Sequence, residues 1–130
     1  MLDLPDESYS GFGLNDHPQV FSPDGRWAGT AVTSSSQFSL WDITAKKLIK
    51  SISLDENNGI TCLAFNADAS LVALGRADGS ITLLSLPDLT VIATLGGHRW
   101  SVEHLAFSAD GRILASTGRD GVLRLWSVQP

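Results

Sequence analysis

The sequence has few of the features that build disulfides, membrane spans or secretion signals. Its 130 residues include a single cysteine, Cys62, so no disulfide can form within the chain, and a reducing compartment is expected. No apolar run approaches the roughly 18 residues that a membrane-spanning helix needs. Residues 1–10 are acidic and lack the basic and apolar stretches of a signal peptide. We therefore expect a soluble, cytoplasmic protein.

Basic residues are also scarce and scattered. Nine lysines and arginines stand against 14 aspartates and glutamates, which gives a net charge of −5, and the basic residues never form a run. Proteins whose main ligand is nucleic acid or an anionic membrane present a concentrated basic surface. The composition therefore argues against both partners. With 43% apolar and 18% charged residues, the chain has the size and composition of one globular domain.

Three segments of the chain repeat one pattern at a nearly constant period. Phe21, Phe65 and Phe107 hold the same place in the three segments and are 44 and 42 residues apart. Periods of about 40–45 residues are typical of propeller blades with four strands each. Helical periodicity is absent throughout, and the content of β-branched residues agrees with an all-β fold.

The third repeat shows how each unit divides into strands. Val102, Leu105 and Phe107 alternate along a first strand, and a turn at Asp110 leads into a second strand, "RILASTG". A tight hairpin turn containing Gly121 precedes the third strand, "VLRLWSV". Fourth strands are predicted from "KLIKSIS" and "TVIATLG" after the first two repeats. The third repeat stops after its third strand.

These residues resemble the WD40-repeat β-propeller family. The third repeat carries the fullest signature, with Gly97-His98 before it and Leu125-Trp126 at its end, and the first repeat ends in Leu40-Trp41-Asp42. The second repeat has Leu83-Leu84 where the tryptophan of the family stands. The resemblance covers about residues 15–128.

The resemblance implies an all-β propeller built of four-stranded antiparallel blades, three of them per chain. We place the blades at residues 15–54, 55–96 and 97–130 and leave 1–14 as an N-terminal segment. Propellers have about 4–8 blades, so three blades leave two apolar end faces uncovered. The ring is then completed by missing chain or by another copy, and a dimer with six blades is preferred. Residues 1–14 could donate the outer strand that the third repeat lacks.

Repeats of the family often hold a buried hydrogen-bond relay, which the resemblance places in the third repeat at His98, Ser116, Asp120 and Trp126. A buried indole N–H, imidazole and carboxylate all need partners, and the relay satisfies them together. A serine, histidine and aspartate can also form a catalytic triad. Within a buried relay, however, water and substrate could not reach them. The other two repeats lack most of these residues, so we expect apolar packing to hold them instead.

Family propellers usually bind proteins or peptides on the face that carries the loops from fourth to first and from second to third strands. The sequence places four candidate contact residues there: Arg76, Arg99, Trp100 and Arg119. An aromatic residue flanked by arginines is a frequent interface anchor, so this face is predicted to capture acidic or aromatic partner residues. The alternative is that Trp100 packs under its own loop and the arginines are merely solvated.

The leading interpretation is a non-enzymatic scaffold for protein or peptide partners that needs no cofactor. No metal site is predicted, because the three histidines and Cys62 show no zinc-type spacing. An enzyme would need converging polar residues on the innermost strands, and these show no repeated pattern. The alternatives are a self-assembling structural propeller fragment without a loop ligand, or a piece of a larger multi-domain WD40 protein.

Overall fold

The structure, a computed structural model, describes residues 19–32, 36–54 and 58–128. These residues form eleven strands in three antiparallel sheets that follow one another along the chain. The prediction of an all-β fold built of antiparallel blades is confirmed. Over the described ranges there is no helix that is long and apolar enough to cross a membrane. The predicted N-terminal segment, residues 1–14, lies outside the described residues.

The sheets are the blades of the structure, and two of them have four strands. Blade 1 consists of β1 (Gln19–Phe21), β2 (Trp27–Val32), β3 (Gln37–Asp42) and β4 (Lys47–Ser53). Blade 2 consists of β5 (Ile60–Phe65), β6 (Leu71–Arg76), β7 (Ile81–Ser85) and β8 (Thr90–Leu95). Blade 3 has β9 (Val102–Phe107), β10 (Ile113–Gly118) and β11 (Leu123–Ser127), and no fourth strand within the described part of the chain.

The strand registers define which positions of the three blades are equivalent. On each third strand one leucine pairs with a small residue of the second strand: Leu40 with Gly29, Leu83 with Ala73 and Leu125 with Ala115. In both four-stranded blades the register to the fourth strand shifts directly after this leucine. The repeats therefore share their irregularities as well as their strands, and side chains can be compared position by position.

Most of the hydrophobic core lies between the blades, and a small third cluster lies within blade 1. One cluster joins blade 1 to blade 2, where Phe38 and Leu40 are fully buried against residues that include Phe65. Gly29 makes room there, since a Cβ at this position would lie 3.3 Å from Cζ of Phe65. A second cluster joins blade 2 to blade 3 through residues that include Ile81 and Val102. Burial of each large apolar side chain contributes up to ~1.5–3 kcal/mol, so stacking of the sheets is the main source of stability.

A glycine in the hairpin of blade 2 allows that hairpin to contact the loop that leads into blade 3. Gly79 has a φ of +92°, and a Cβ at this position would overlap the backbone carbonyl of His98 and lie 2.8 Å from the carbonyl oxygen of Trp100. Gly121 is the equivalent residue of blade 3, with a φ of +77°, but a Cβ there would meet no atom within 4 Å. Comparing the two glycines therefore distinguishes the effect of the backbone conformation from the effect of close packing.

We expect Gly79→Ala to destabilise the protein more than Gly121→Ala. Both substitutions place alanine at positive φ, which costs about 1–2 kcal/mol, but only the first also pushes the 98–100 backbone out of place. Urea unfolding should show a loss in the free energy of unfolding that is larger for Gly79→Ala by about 1 kcal/mol or more. Equal losses would contradict the close contact between this hairpin and the loop of blade 3.

Candidate functional site

Four side chains of blade 3 form one continuous hydrogen-bonded chain. The indole Nε1 of Trp126 donates to Oγ of Ser116 at 3.0 Å, and this Oγ lies 2.7 Å from Nε2 of His98. On the other side of the imidazole, Nδ1 lies 3.2 Å from both carboxylate oxygens of Asp120. The structure thus brings all four residues of the relay together, although they come from the loop before β9, from β10, from the β10–β11 hairpin and from β11.

The donors and acceptors of this relay fit one direction of hydrogen bonding. An indole N–H can only donate, so Oγ of Ser116 accepts from Trp126 and can donate its own hydrogen to Nε2 of His98. The imidazole then carries its proton on Nδ1 and donates it to Asp120. In this arrangement every buried polar atom of the relay has a partner, as the interior of a protein requires.

Asp120 connects the buried relay to the exposed loops. Its Oδ2 accepts the backbone N–H of Arg99 at 3.0 Å, and its Oδ1 accepts the backbone N–H of Val122 at 3.1 Å. Burial by itself raises the pKa of Asp120, but these two amides and His98 outweigh it, so that the pKa lies below the ordinary value of 3.8. The carboxylate is therefore ionised at neutral pH and fixes the position of the loop that contains Arg99.

The Ser–His–Asp geometry resembles a catalytic triad, but its surroundings oppose catalysis. Ser116 is 1% exposed, and the side chain of His98 has no exposed surface. A nucleophilic serine needs open space beside Oγ for a substrate carbonyl, whereas this Oγ is already hydrogen-bonded to Trp126. The arrangement is suited to holding β10, β11 and the preceding loop together.

The single cysteine, Cys62, is unsuited to act as a nucleophile or a metal ligand. Burial raises the pKa of its thiol to about 11, so it stays protonated at neutral pH. Its Sγ lies 3.6 Å from the carbonyl oxygen of Val102, across the contact between blades 2 and 3. Within the described residues, no group of three or more histidine, cysteine or acidic side chains could hold a metal ion.

Blade 1 keeps a shorter form of the relay that the sequence analysis missed. Nε1 of Trp41 donates to Oγ1 of Thr30 at 3.0 Å, and both residues are buried. Thr30 occupies the position in β2 that Ser116 occupies in β10. A threonine offers the same hydroxyl as a serine, but Thr30 stands 11 residues before Trp41, whereas Ser116 stands 10 residues before Trp126.

The assignment of Arg76 to the partner-binding face is wrong. This arginine is only 5% exposed, and its guanidinium turns inward to donate to the backbone carbonyl of Asn58 and to Oγ1 of Thr82. The physical reason lies in the repeat. Arg76 ends β6 as Gly118 ends β10, and a Cβ at Gly118 would lie 2.7 Å from Nδ1 of His98. The guanidinium of blade 2 therefore fills the space that the imidazole fills in blade 3.

The three remaining candidate residues lie together at the surface. Trp100 is 59% exposed, and Arg99 and Arg119 are exposed beside it. Trp100 and Arg119 line an open cleft of about 360 Å³. The backbone beneath them is fixed, since Arg99 donates its N–H to Asp120 and Arg119 donates its N–H to the carbonyl of Ser101. We refer to Arg99, Trp100 and Arg119 as the loop patch. Trp100 does not pack under its own loop.

Comparison with known protein families agrees with the strand pattern. The model of the WD domain, G-beta repeat, matches residues 46–84 and 89–127, which together are more than half of the chain. This chain belongs to the WD40 family. Each match begins in or just before the fourth strand of one blade and ends in the third strand of the next. The WD40 sequence repeat is therefore offset by one strand from the blade.

The similar proteins are much longer than this chain. Telomerase protein component 1 of Rattus norvegicus is 33% identical over 108 residues, which cover 83% of this chain and 4% of that protein. WD repeat-containing protein 91 of Bos taurus is 32% identical over 116 residues, covering 88% and 15%. Apoptotic protease-activating factor 1 of Mus musculus is 34% identical over 70 residues, covering 54% and 6%. The chain spans a small fraction of the length of the curated relatives it matches.

Solved structures show the same WD40 fold. The WD40 repeats of RRP9 match with a TM-score of 0.80 at 21% sequence identity, covering 90% of this chain and 37% of that chain. The structure of U3-55K matches with the same values. At this level of identity the likeness concerns the fold, and it includes nearly all of the described strands.

We expect Ser116→Ala to destabilise the protein by about 2–3 kcal/mol, because the substitution leaves the indole N–H of Trp126 and Nε2 of His98 buried without a partner. Urea unfolding followed by tryptophan fluorescence measures this loss. The control is Ser127→Ala on the neighbouring strand, where the serine is exposed and the expected change is within ~0.5 kcal/mol. Similar losses for both variants would show that the relay contributes no stability.

We expect Asp120→Asn to destabilise the protein at neutral pH and to do so less as the pH falls. The folded protein holds the pKa of Asp120 below 3.8, so the carboxylate adds stability above that pH and loses its contribution as the pH falls through the lower folded value. Urea unfolding of both proteins between pH 7 and pH 2 measures the difference. A difference that stays constant over this range would show that the charge on Asp120 is not what stabilises the fold.

Proposed function

We propose that this chain is a non-enzymatic interaction module that binds acidic peptide segments of partner proteins through the loop patch. The observation that carries the proposal is the exposed indole of Trp100 on a backbone held by hydrogen bonds on both sides. Exposed tryptophan and arginine side chains are the residues that most often contribute strongly to protein interfaces. A loop that is already ordered also loses less entropy on binding.

The chemistry of the loop patch favours a negatively charged partner. Neither the side chain of Arg99 nor that of Arg119 has a hydrogen bond or an ion pair with a described residue, so both guanidiniums can bind carboxylates. The exposed indole of Trp100 offers a flat apolar surface for an aliphatic or aromatic side chain. An acidic segment with one apolar residue therefore fits the loop patch better than a basic or a purely apolar one.

The assembly and location of the protein belong to the same proposal. Membership of the WD40 family supports a role in protein interaction. The negative net charge of −5 argues against nucleic acid and anionic membranes as the main ligand. We place the module in the cytoplasm and propose that further copies complete its ring, with a dimer of six blades preferred. A structural role without a loop ligand is the second candidate, favoured by the exposed leucines of β11.

Substitution of the loop patch tests this function. In the triple variant Arg99→Ala, Trp100→Ala and Arg119→Ala, the altered side chains are exposed, so the fold should be retained. We expect the wild-type protein to bind fluorescent peptides that combine glutamates with one leucine or phenylalanine, and the triple variant to bind at least about tenfold more weakly. Fluorescence anisotropy at low and moderate salt measures both affinities.

The matched control removes an exposed arginine and an exposed aliphatic side chain elsewhere. Arg112→Ala combined with Ile92→Ala should bind the acidic peptides as the wild type does. Peptides in which lysine replaces glutamate should bind neither the wild type nor the control variant. If the folded triple variant binds as tightly as the wild type, or if the control loses as much affinity as the triple variant, the loop patch is not the binding site.

A further inference from the structure

The hairpin of blade 2 that touches the loop patch carries a carboxylate at the surface. Gly79 of this hairpin lies against the backbone of residues 98–100, where a Cβ on the glycine would be 2.8 Å from the carbonyl oxygen of Trp100. Asp78 directly precedes this glycine and is exposed. Asp78 and the loop patch therefore lie beside each other on one surface, although they belong to neighbouring blades.

The equivalent carboxylate of blade 3 is used inside that blade. Asp120 stands two residues after the end of β10, as Asp78 stands two residues after the end of β6. The side chain of Asp120 is only 7% exposed and lies against the imidazole of His98. In blade 2 the guanidinium of Arg76 takes the place of that imidazole and donates to Thr82. The same hairpin position therefore serves the interior of blade 3 but faces solvent in blade 2.

Hydrogen bonds hold Asp78 in one position and keep it charged. Its Oδ1 accepts the hydroxyl of Ser80 at 2.6 Å and the N–H of Ser80 at 2.8 Å, and its own N–H donates to Oδ1 of Asn58 at 2.8 Å. Burial by itself raises the pKa of Asp78, but the hydrogen bonds from Ser80 and Asn58 outweigh it, so that the pKa lies below 3.8. A carboxylate that is already ordered and ionised loses little entropy when it binds a cationic side chain.

We propose that Asp78 is a specificity residue beside the loop patch and binds a lysine or arginine of the partner segment. The guanidiniums of Arg99 and Arg119 attract the acidic residues of that segment, and the carboxylate of Asp78 attracts a basic one. A segment with the order acidic, apolar, basic matches these charges, whereas a uniformly acidic segment places a glutamate beside Asp78 and is disfavoured. This inference rests on the proposed binding of acidic segments and names the feature that discriminates among them.

Pairs of peptides that differ in one residue test the inference. Each peptide contains glutamates, one phenylalanine and, on the far side of the phenylalanine, either lysine or glutamine, and both chain directions are synthesised. Fluorescence anisotropy at low salt should show that, in one direction, the wild type binds the lysine peptide about two- to fivefold more tightly than the glutamine peptide, as one exposed ion pair provides. In Asp78→Asn this ratio should fall to about one, because the amide can still accept from Ser80 but carries no charge.

The matched control, Asp110→Asn, removes the same charge at the opposite end of β10 from Arg119. Oδ1 of Asp110 likewise accepts a serine hydroxyl and a backbone N–H, from Ser108 at 2.6 Å and from Arg112 at 3.0 Å. This variant should keep the wild-type ratio.

Three results would overturn the inference and leave the proposed binding of acidic segments intact. These are equal wild-type affinities for the lysine and glutamine peptides in both directions, a preference for lysine that Asp78→Asn retains, and an equal loss of that preference in Asp78→Asn and Asp110→Asn. If the wild type binds none of the peptides, the proposed function itself is wrong and the inference falls with it.

Discussion

The packing of one apolar sheet face on the next is the interaction on which this molecule depends. Blade 2 shows it most fully, because Leu74 and Leu84 face blade 1 while Ile81 and Leu83 face blade 3, and all four are buried. A single sheet encloses little, and within the described residues only blade 1 has a small cluster of its own, at Ala28 and Trp41. Each blade gains its stability from its neighbours, as in other repeat architectures. The stability of the molecule therefore depends mainly on the apolar residues that form the clusters between blades.

The polar groups near these clusters are arranged differently in blades 2 and 3 under one common constraint. In blade 3 the space at the end of the second strand holds the imidazole of His98, and Gly118 leaves room for it. In blade 2 the same space holds the guanidinium of Arg76, which donates to the carbonyl of Asn58 and to Thr82. Both groups are buried and both have hydrogen-bond partners. Blades 2 and 3 share a space that is filled by a hydrogen-bonded polar group, and the residue that fills it differs between them.

The strands and blades could be predicted because their signals are local and repeated. The period set by Phe21, Phe65 and Phe107, together with alternation along each strand, is enough to predict three antiparallel sheets. The role of Arg76 could not be read from its own residue type, since an arginine beside a loop is usually solvated. Arg76 is buried because blade 2 has no histidine to fill that space, and this becomes apparent only when the repeats are compared. The exposure of Trp100 was left open by the sequence, because it depends on how the loop is held.

Asp120 shows how the interior of blade 3 determines its surface. One carboxylate accepts from the buried imidazole of His98 and from the backbone N–H of Arg99, so the same charge that satisfies the relay also positions the residues before Trp100. Gly79 of the neighbouring hairpin closes against the same stretch of backbone from the other side. A loop held at both points cannot collapse onto the sheet, and its tryptophan stays in solvent although burial would be favourable. The rigidity of the loop patch is thus a consequence of hydrogen bonding inside the blade.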